Sequence, residues 1–369
     1  MSGITVNGQP LTEATFYVPR IGAWSIDARL FSETPITGKV SVVCDGITYA
    51  GTVDRGGLFN NAATLRIVPG AGGMSKPTTP KAYRQTTGLT VLQDLLDLAG
   101  EQLDPTTNTS ALSRAIPAWT VSLMPIGRAA AYLCERLGMT WRMLPNGRFW
   151  AGTETWPATA VADADIQVMG RDDSLGEMDV GLISPALLPG TTYAGRKIGA
   201  VETVVTGESV RARVVFEDAG EGGRLLAALN KLVRNATADL SYATCLWAKV
   251  VAQSGDRIDV IPEDTRYPPI SQVPLTVGIA GAKLTVSAGA RVLIGFSAAD
   301  PRFPYVHGWD QSEQTIKVQI VASRIELAPG ETPLVPFDGI VTGQGIDTFT
   351  GAPYGALGNA SPYVFARKL

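Results

Sequence analysis

The chain has 369 residues, 45% of them hydrophobic and 18% charged, with a formal net charge of −3. That apolar fraction excludes a natively disordered chain. Tight nucleic-acid binding needs a clustered basic footprint and none is visible, and no apolar run approaches the roughly 18 residues of a membrane span. One core stops growing at roughly 250–300 residues, so roughly two to four domains are expected. The charge fraction lies below the usual ~25%, which fits a protein that covers much of itself with partners.

In chain order, the first segment is β. Trp24, Ile26, Ala28 and Leu30 alternate with Ser25, Asp27 and Arg29, the period of a half-buried strand. Residues 38–43 and 46–53 form two more runs around Asp45-Gly46, a hairpin turn pair, and residues 63–68 a fourth. Residues 70–80, rich in Gly, Pro, Ser and Thr, read as a linker. Leu89, Leu92, Leu95, Leu96 and Ala99 then recur at helical spacing, with Gly100 as the stop. A second helix runs from Pro125, through Ala129, Ala130, Leu133 and Leu137, to Gly138, with Pro at the first turn and Gly past the last. Two strands, 139–144 and 148–152, flank Asn146-Gly147 as a hairpin.

Beyond this, 201–206 and 210–217 are β-branched runs either side of Gly207-Glu208. Residues 223–236 carry Leu225, Leu226, Leu229, Leu232, Val233 and Ala236 on one helical face. Five or six short strands follow, at 243–252, 257–262, 273–279, 291–296, 305–309 and 316–325, spaced as in a small closed barrel. The last segment, 327–369, has much Gly and Pro and too little periodicity for a core of its own. It is expected to be disordered or to lie as an extended arm across neighbouring subunits.

Two segments resemble a known family. Residues 249–310 look like the oligonucleotide/oligosaccharide-binding (OB) domain of phage baseplate spike and hub-associated proteins. The likeness rests on Trp247-Ala248-Lys249-Val250-Val251, on the strand from Gly289 to Phe296, and on the turn and strand from Asp300-Pro301 through Pro304 to Gly308. Asp-Pro sets a turn, Pro304 stiffens the strand entry, and Gly308 is expected to allow close backbone approach at a barrel corner. The order of the preceding two-thirds is similar to tail hub proteins of the late-control type, in which two β-barrel domains flank an α+β insert. The helix ending in Glu135-Arg136-Leu137-Gly138 and the hairpin after it carry that part.

The resemblance implies a mainly β protein with an α+β insert. The implied layout is a first hub barrel (1–75), the insert (76–156), a second hub barrel (157–222), a linker helix (223–240), an OB-fold (241–326) and a C-terminal arm (327–369). It further implies a non-enzymatic homotrimer in a phage tail baseplate, assembled in the bacterial cytoplasm. Such a hub joins a sixfold tail tube or distal tail protein to a threefold spike and forms part of the DNA exit channel. The sequence shows neither a β-helix repeat nor a lysozyme domain, so a separate spike protein would cap the hub, with other baseplate proteins around it.

Sharper chemical readings compete with these. Glu217, Asp218 and Glu221 lie together as a hydrolase would need, but acids near a helix start also suit its dipole. His307 is the single histidine and no G-x-S-x-G elbow accompanies it; it could hold a metal only if three copies met on a trimer axis. Residues 220–223 are Gly-rich before a helix, yet lack the phosphate-loop pattern. Cys44, Cys134 and Cys245 sit in apolar contexts and read as buried free thiols of a chain made in a reducing cytosol, since the N-terminus lacks a basic, apolar leader. No cofactor or metal is expected. An OB-fold can also bind sugar or single strands through exposed aromatics, and that alternative stays open; Trp247, Tyr267, Phe296, Phe303, Tyr305 and Trp309 are expected to be mostly core.

Overall fold

Period-two alternation builds the first barrel. In the computed structural model, which describes residues 4–44, 46–162, 166–172, 176–182, 187–206, 209–217, 242–275, 282–310 and 316–320, six strands close on themselves. They are β1 (Thr5–Val6), β2 (Gln9–Pro19), β3 (Ser25–Phe31), β4 (Lys39–Cys44), β5 (Ile47–Phe59) and β6 (Ala62–Pro69). The order is β1-β4-β5-β6-β3-β2, and β2 returns to pair with β1 through Val6 and Gln9, so all contacts are antiparallel and the barrel is closed. Inward residues Phe16, Trp24, Ile26, Leu30, Val42, Tyr49, Leu65 and Ile67 are buried, each aliphatic side chain contributing roughly 1.5–3 kcal/mol. Closure removes the free edges that such strands would otherwise expose. The strand β2 escapes the sequence pattern because Thr12, Glu13 and Thr15 break its apolar alternation.

The α+β insert follows. It comprises β7 (Lys81–Thr87), α1 (Gly88–Ala99), α2 (Thr109–Leu112), β8 (Ala115–Val121), α3 (Ile126–Arg136), β9 (Thr140–Met143) and β10 (Phe149–Gly152). The α1 N-terminus is capped by Thr87, whose side chain accepts from the Thr90 N–H, and it ends at Gly100 with φ +76°. A left-handed residue past the last turn suits glycine. The β9–β10 hairpin turns at Asn146-Gly147, with Gly147 at φ +76°.

The expected linker over 70–80 is instead a packed strap. Its Gly73–Ser75 turn is a single 3-10 turn, with Met74 and Thr78 buried. The buried Glu101 carboxylate accepts from the backbone N–H groups of Ala71 and Gly73 at 3.0 Å. A β-carbon at Gly73 would stand 1.8 Å from the Ala99 carbonyl oxygen, so the close approach requires glycine.

Residues of the second β segment form β11 (Ile166–Asp172), β12 (Glu177–Leu182), β13 (Thr192–Tyr193), β14 (Arg196–Thr206) and β15 (Val210–Phe216). Their order is β14-β15-β12-β11, with β13 beside β14. Among the described residues these strands form an open sheet rather than a second closed barrel. The sheet is joined to the first barrel without a break: β14 pairs along β2, with Val201 opposite Val18, Thr203 opposite Phe16 and Val205 opposite Ala14. The turn at 207–208 and the helix expected over 223–236 lie outside the described residues, as does the arm from 327.

The last module has β16 (Leu246–Ser254), β17 (Arg257–Pro262), β18 (Ile270–Pro274), β19 (Ala282–Val286), β20 (Arg291–Phe296), β21 (Pro304–Trp309) and β22 (Ile316–Ile320). Five of these run in the order β18-β17-β16-β20-β21, and a parallel bridge from Leu275 to Val306 brings the two outer strands together. The strand expected at 316 does not join this barrel; β22 pairs with β19 as a separate ribbon. Gln253 stitches that ribbon to β16, donating to the Leu284 carbonyl at 2.7 Å and accepting from Val286 N–H at 2.6 Å. At Gly308 a β-carbon would meet nothing, so the close approach expected there is absent; the register shifts opposite it between Leu293 and Ile294, a bulge.

Candidate functional site

The insert sits at the centre of two junctions. The first joins it to both β units. Arg20, just past the end of β2, reaches Glu154 at 2.8 Å and Glu217 at 2.6 Å. Arg142, from β9, reaches the other Glu154 oxygen at 2.6 Å and donates to the Pro189 carbonyl at 2.8 Å. The Glu154 side chain is 4% exposed. Trp150 lies under Arg142 and Trp156 under Arg20. Burial pulls the Arg20 guanidinium downward, but its two carboxylate partners outweigh this and hold it above its ordinary value. Burial and the neighbouring Arg20 charge leave Arg142 below its ordinary value despite Glu154. One buried carboxylate thus shares two guanidinium groups, from the first barrel and the insert, and Glu217 brings in the second sheet.

The second junction is aromatic. The Tyr242 hydroxyl donates to the Thr120 carbonyl at 2.8 Å and accepts from Ser122 N–H at 3.1 Å. Its ring lies edge-on to Tyr132 of α3, to Tyr267 and to Phe296 of β20. The Leu123 N–H donates to the Arg266 carbonyl at 2.8 Å, a backbone bond between insert and final barrel. Burial raises the Tyr242 phenol, so it stays a neutral donor.

Among the described residues two sheet surfaces are left open. The joined sheet shows a polar face carrying cross-strand ion pairs, Arg66–Asp27 at 2.7 Å and Arg213–Asp179 at 3.3 Å. Among the described residues β11 ends the sheet and is exposed on both faces, with Val168 at 50% and Met169 at 54%, and its register slips between Val168 and Gly170. Sequence pattern does not reveal the exposed edge, because two-sided exposure depends on which strand ends the sheet.

The fold scatters the candidates that the sequence pattern singles out. Glu217 is a partner of Arg20, and Asp218, Glu221 and residues 220–223 lie outside the described residues. His307 is exposed on β21, edge-on to Tyr305. Among the described residues no group of three or more His, Cys, Asp or Glu side chains could hold a metal. Cys44 and Cys134 are buried as expected, and burial pushes the Cys134 thiol up to about 12. Cys245 is exposed, contrary to expectation, because it stands one residue before β16 begins. Of the six aromatics expected in the last barrel, Tyr267 and Phe296 are buried; Phe303 is 50% exposed and Trp247 lies under Arg291.

No protein-family model matches the sequence, and no curated protein matches it. Solved structures do. An Escherichia coli component of the type VI secretion system, described as similar to the T4 bacteriophage tail proteins gp27 and gp5, superposes with a TM-score of 0.51 at 13% identity, over 83% of this chain and 99% of that one. The 43 kDa tail protein of prophage MuSo2 from Shewanella oneidensis gives 0.45 at 8% identity, over 58% and 96%. A tail protein from Neisseria meningitidis gives 0.41 at 12% identity, over 58% and 96%. At these identities the likeness is one of fold. The chain is mainly β, with a closed six-stranded antiparallel barrel, and its fold is of the phage-tail type.

Proposed function

We propose that this chain is a structural, non-enzymatic component of a phage-type tail: the homotrimeric central hub of a baseplate. In that reading the two hub units of three copies form a ring of pseudo-sixfold symmetry. The ring meets the tail tube or distal tail protein above and a separate spike below, and it lines part of the DNA exit channel. The protein would reside in the virion after assembly in the host cytoplasm.

The observation that carries the reading is the sheet running from the first barrel through β2 and β14 to β11, held by the Glu154 junction and ending in a strand exposed on both faces, with Val168 and Met169 among its exposed side chains. Among the described residues no strand of the same copy pairs with the outer side of β11, and sheet edges are natural pairing surfaces between copies. The final module supports assignment as an OB-fold: β16, β17 and β18 are consecutive antiparallel neighbours, β20 and β21 follow on the other side of β16, and the ends meet in parallel at Leu275 and Val306. The charge balance also suits a channel, since the polar sheet face carries paired rather than clustered cations and would let DNA pass without holding it.

Analytical ultracentrifugation and class-averaged electron micrographs of the purified full chain test this. Threefold rings support it; a monomer at micromolar concentration would sink it.

A further inference from the structure

One cleft serves none of the roles above. It lies between the β7–β8 pair of the insert and the mouth of the last barrel, with a volume of about 480 Å³, and its walls include Arg84, Arg257, Arg302, Phe303, Tyr305 and Pro274. The three cations are not equivalent. Arg302 is neutralised by Asp300 through a two-pronged pair, Nε at 3.0–3.1 Å and Nη2 at 2.7 Å. Arg257 donates one bond to the Gln272 carbonyl at 3.1 Å. The Arg84 Nη2 atom is buried and has no hydrogen-bond partner among the described residues.

Burial lowers the Arg84 guanidinium and the facing charge of Arg257 lowers it further, with Asp259 offsetting part of this. Asp259 is itself engaged, accepting from the Gln272 N–H at 2.7 Å. Arg84 and Arg257 against Asp259 leave the cleft with one uncompensated positive charge. A buried guanidinium N–H without an acceptor, beside a like charge, is a costly arrangement unless something supplies the acceptor.

From this geometry we infer that the cleft is a binding site for a single carboxylate on a polypeptide partner, held by Arg84 and Arg257 against the Phe303 and Tyr305 rings. A planar guanidinium matches a carboxylate two-pronged. Half-exposed Phe303 and the proline walls suit the apolar stem of an acidic side chain. A nucleic acid would ask for a row of cations along a track, and here the third arginine is already taken up by Asp300. The inference does not rest on the hub reading, because the cleft lies within one copy.

The test uses the full chain and isothermal titration with a blocked glutamate-containing tetrapeptide, its glutamine counterpart and a short oligothymidylate. The glutamate peptide is expected to bind, the glutamine peptide to bind at least about tenfold more weakly, and Arg84→Gln to remove that difference. Arg84→Met gives an independent readout. It is expected to lose peptide binding while the unliganded protein unfolds no earlier, since a partly buried charge facing the like charge of Arg257 is removed. Equal binding of both peptides, binding unchanged by Arg84→Gln, or Arg84-dependent preference for the oligothymidylate would each overturn the inference. Ring formation is scored separately, so failure here leaves the hub reading intact.

Discussion

Glu154 touches Arg20 at 2.8 Å with one carboxylate oxygen and Arg142 at 2.6 Å with the other. The three side chains are 4%, 18% and 16% exposed, so solvent screens them little. Removing one partner of a buried ion pair strands the remaining charges. Glu154→Ala is therefore expected to destabilise the protein by about 3–5 kcal/mol, read from urea unfolding. Glu217→Ala removes only a half-exposed partner of Arg20 and should cost under about 1 kcal/mol. Equal losses for the two variants would show that Glu154 is not the anchor.

The strap over 70–78 makes a second prediction. Gly73→Ala places a methyl group 1.8 Å from the Ala99 carbonyl oxygen, and neither backbone can yield freely. A loss of roughly 1–3 kcal/mol is expected, with faster amide hydrogen exchange at Ala71 and Gly73, whose N–H groups Glu101 accepts. Gly57→Ala, where a β-carbon meets nothing, is the control and should exchange as the parent does.

What sequence pattern reveals of this fold, and what it hides, divides along physical lines. Local signals are readable: the Gly100 and Gly138 helix ends, the Asn146-Gly147 turn and the strands at 257–262 and 291–296 all rest on neighbours in sequence. What spacing hides is long-range. The strap reads as a linker because Gly and Pro are ambiguous until Glu101, 28 residues beyond Gly73, supplies the acceptor. The Arg20–Glu154–Arg142 junction spans 134 residues between its first pair, and no periodicity reports such a contact. Cys245 and Phe303 mislead because apolar context predicts burial only inside an element, and both lie just outside one.

Acid sensitivity follows from two carboxyls. The hydrogen bond from Lys81 holds Asp94 below its ordinary value, helped by the Tyr83 hydroxyl. Burial pushes the Asp104 carboxyl up, but the hydrogen bonds from Thr106 and Asn146 outweigh it and leave the group lowered. With folded-state values depressed, the unfolded chain takes up protons first as the pH falls. Their stabilisation is thus present above the ordinary carboxylate value of ~4 and lost as the pH drops through and below it. Urea midpoints should be flat from about pH 7 to about pH 5 and fall below about pH 4. Asp104→Asn should make that fall shallower, and a fall steepening toward alkaline pH instead would contradict the assignment.

The exposed β11 edge makes the prediction on which the hub reading is most open to failure. Val168 and Met169 stand 50% and 54% exposed at the end of a sheet that is otherwise buried on one face. If that edge pairs with a sister copy, a charge placed there opposes association while leaving the isolated fold alone, since a lysine on an edge strand is how proteins block edge pairing. Met169→Lys is expected to weaken trimer formation at least about tenfold, by sedimentation over a dilution series. Its unfolding midpoint under dissociating conditions should stay close to the parent's, because the side chain is more than half exposed. Phe59→Lys, at a position 77% exposed on a closed barrel strand, separates an edge effect from a general loss of surface apolarity: it should leave the oligomer unchanged. Trimers that survive Met169→Lys undiminished would remove β11 from the interface and with it the observation that carries the proposed assembly.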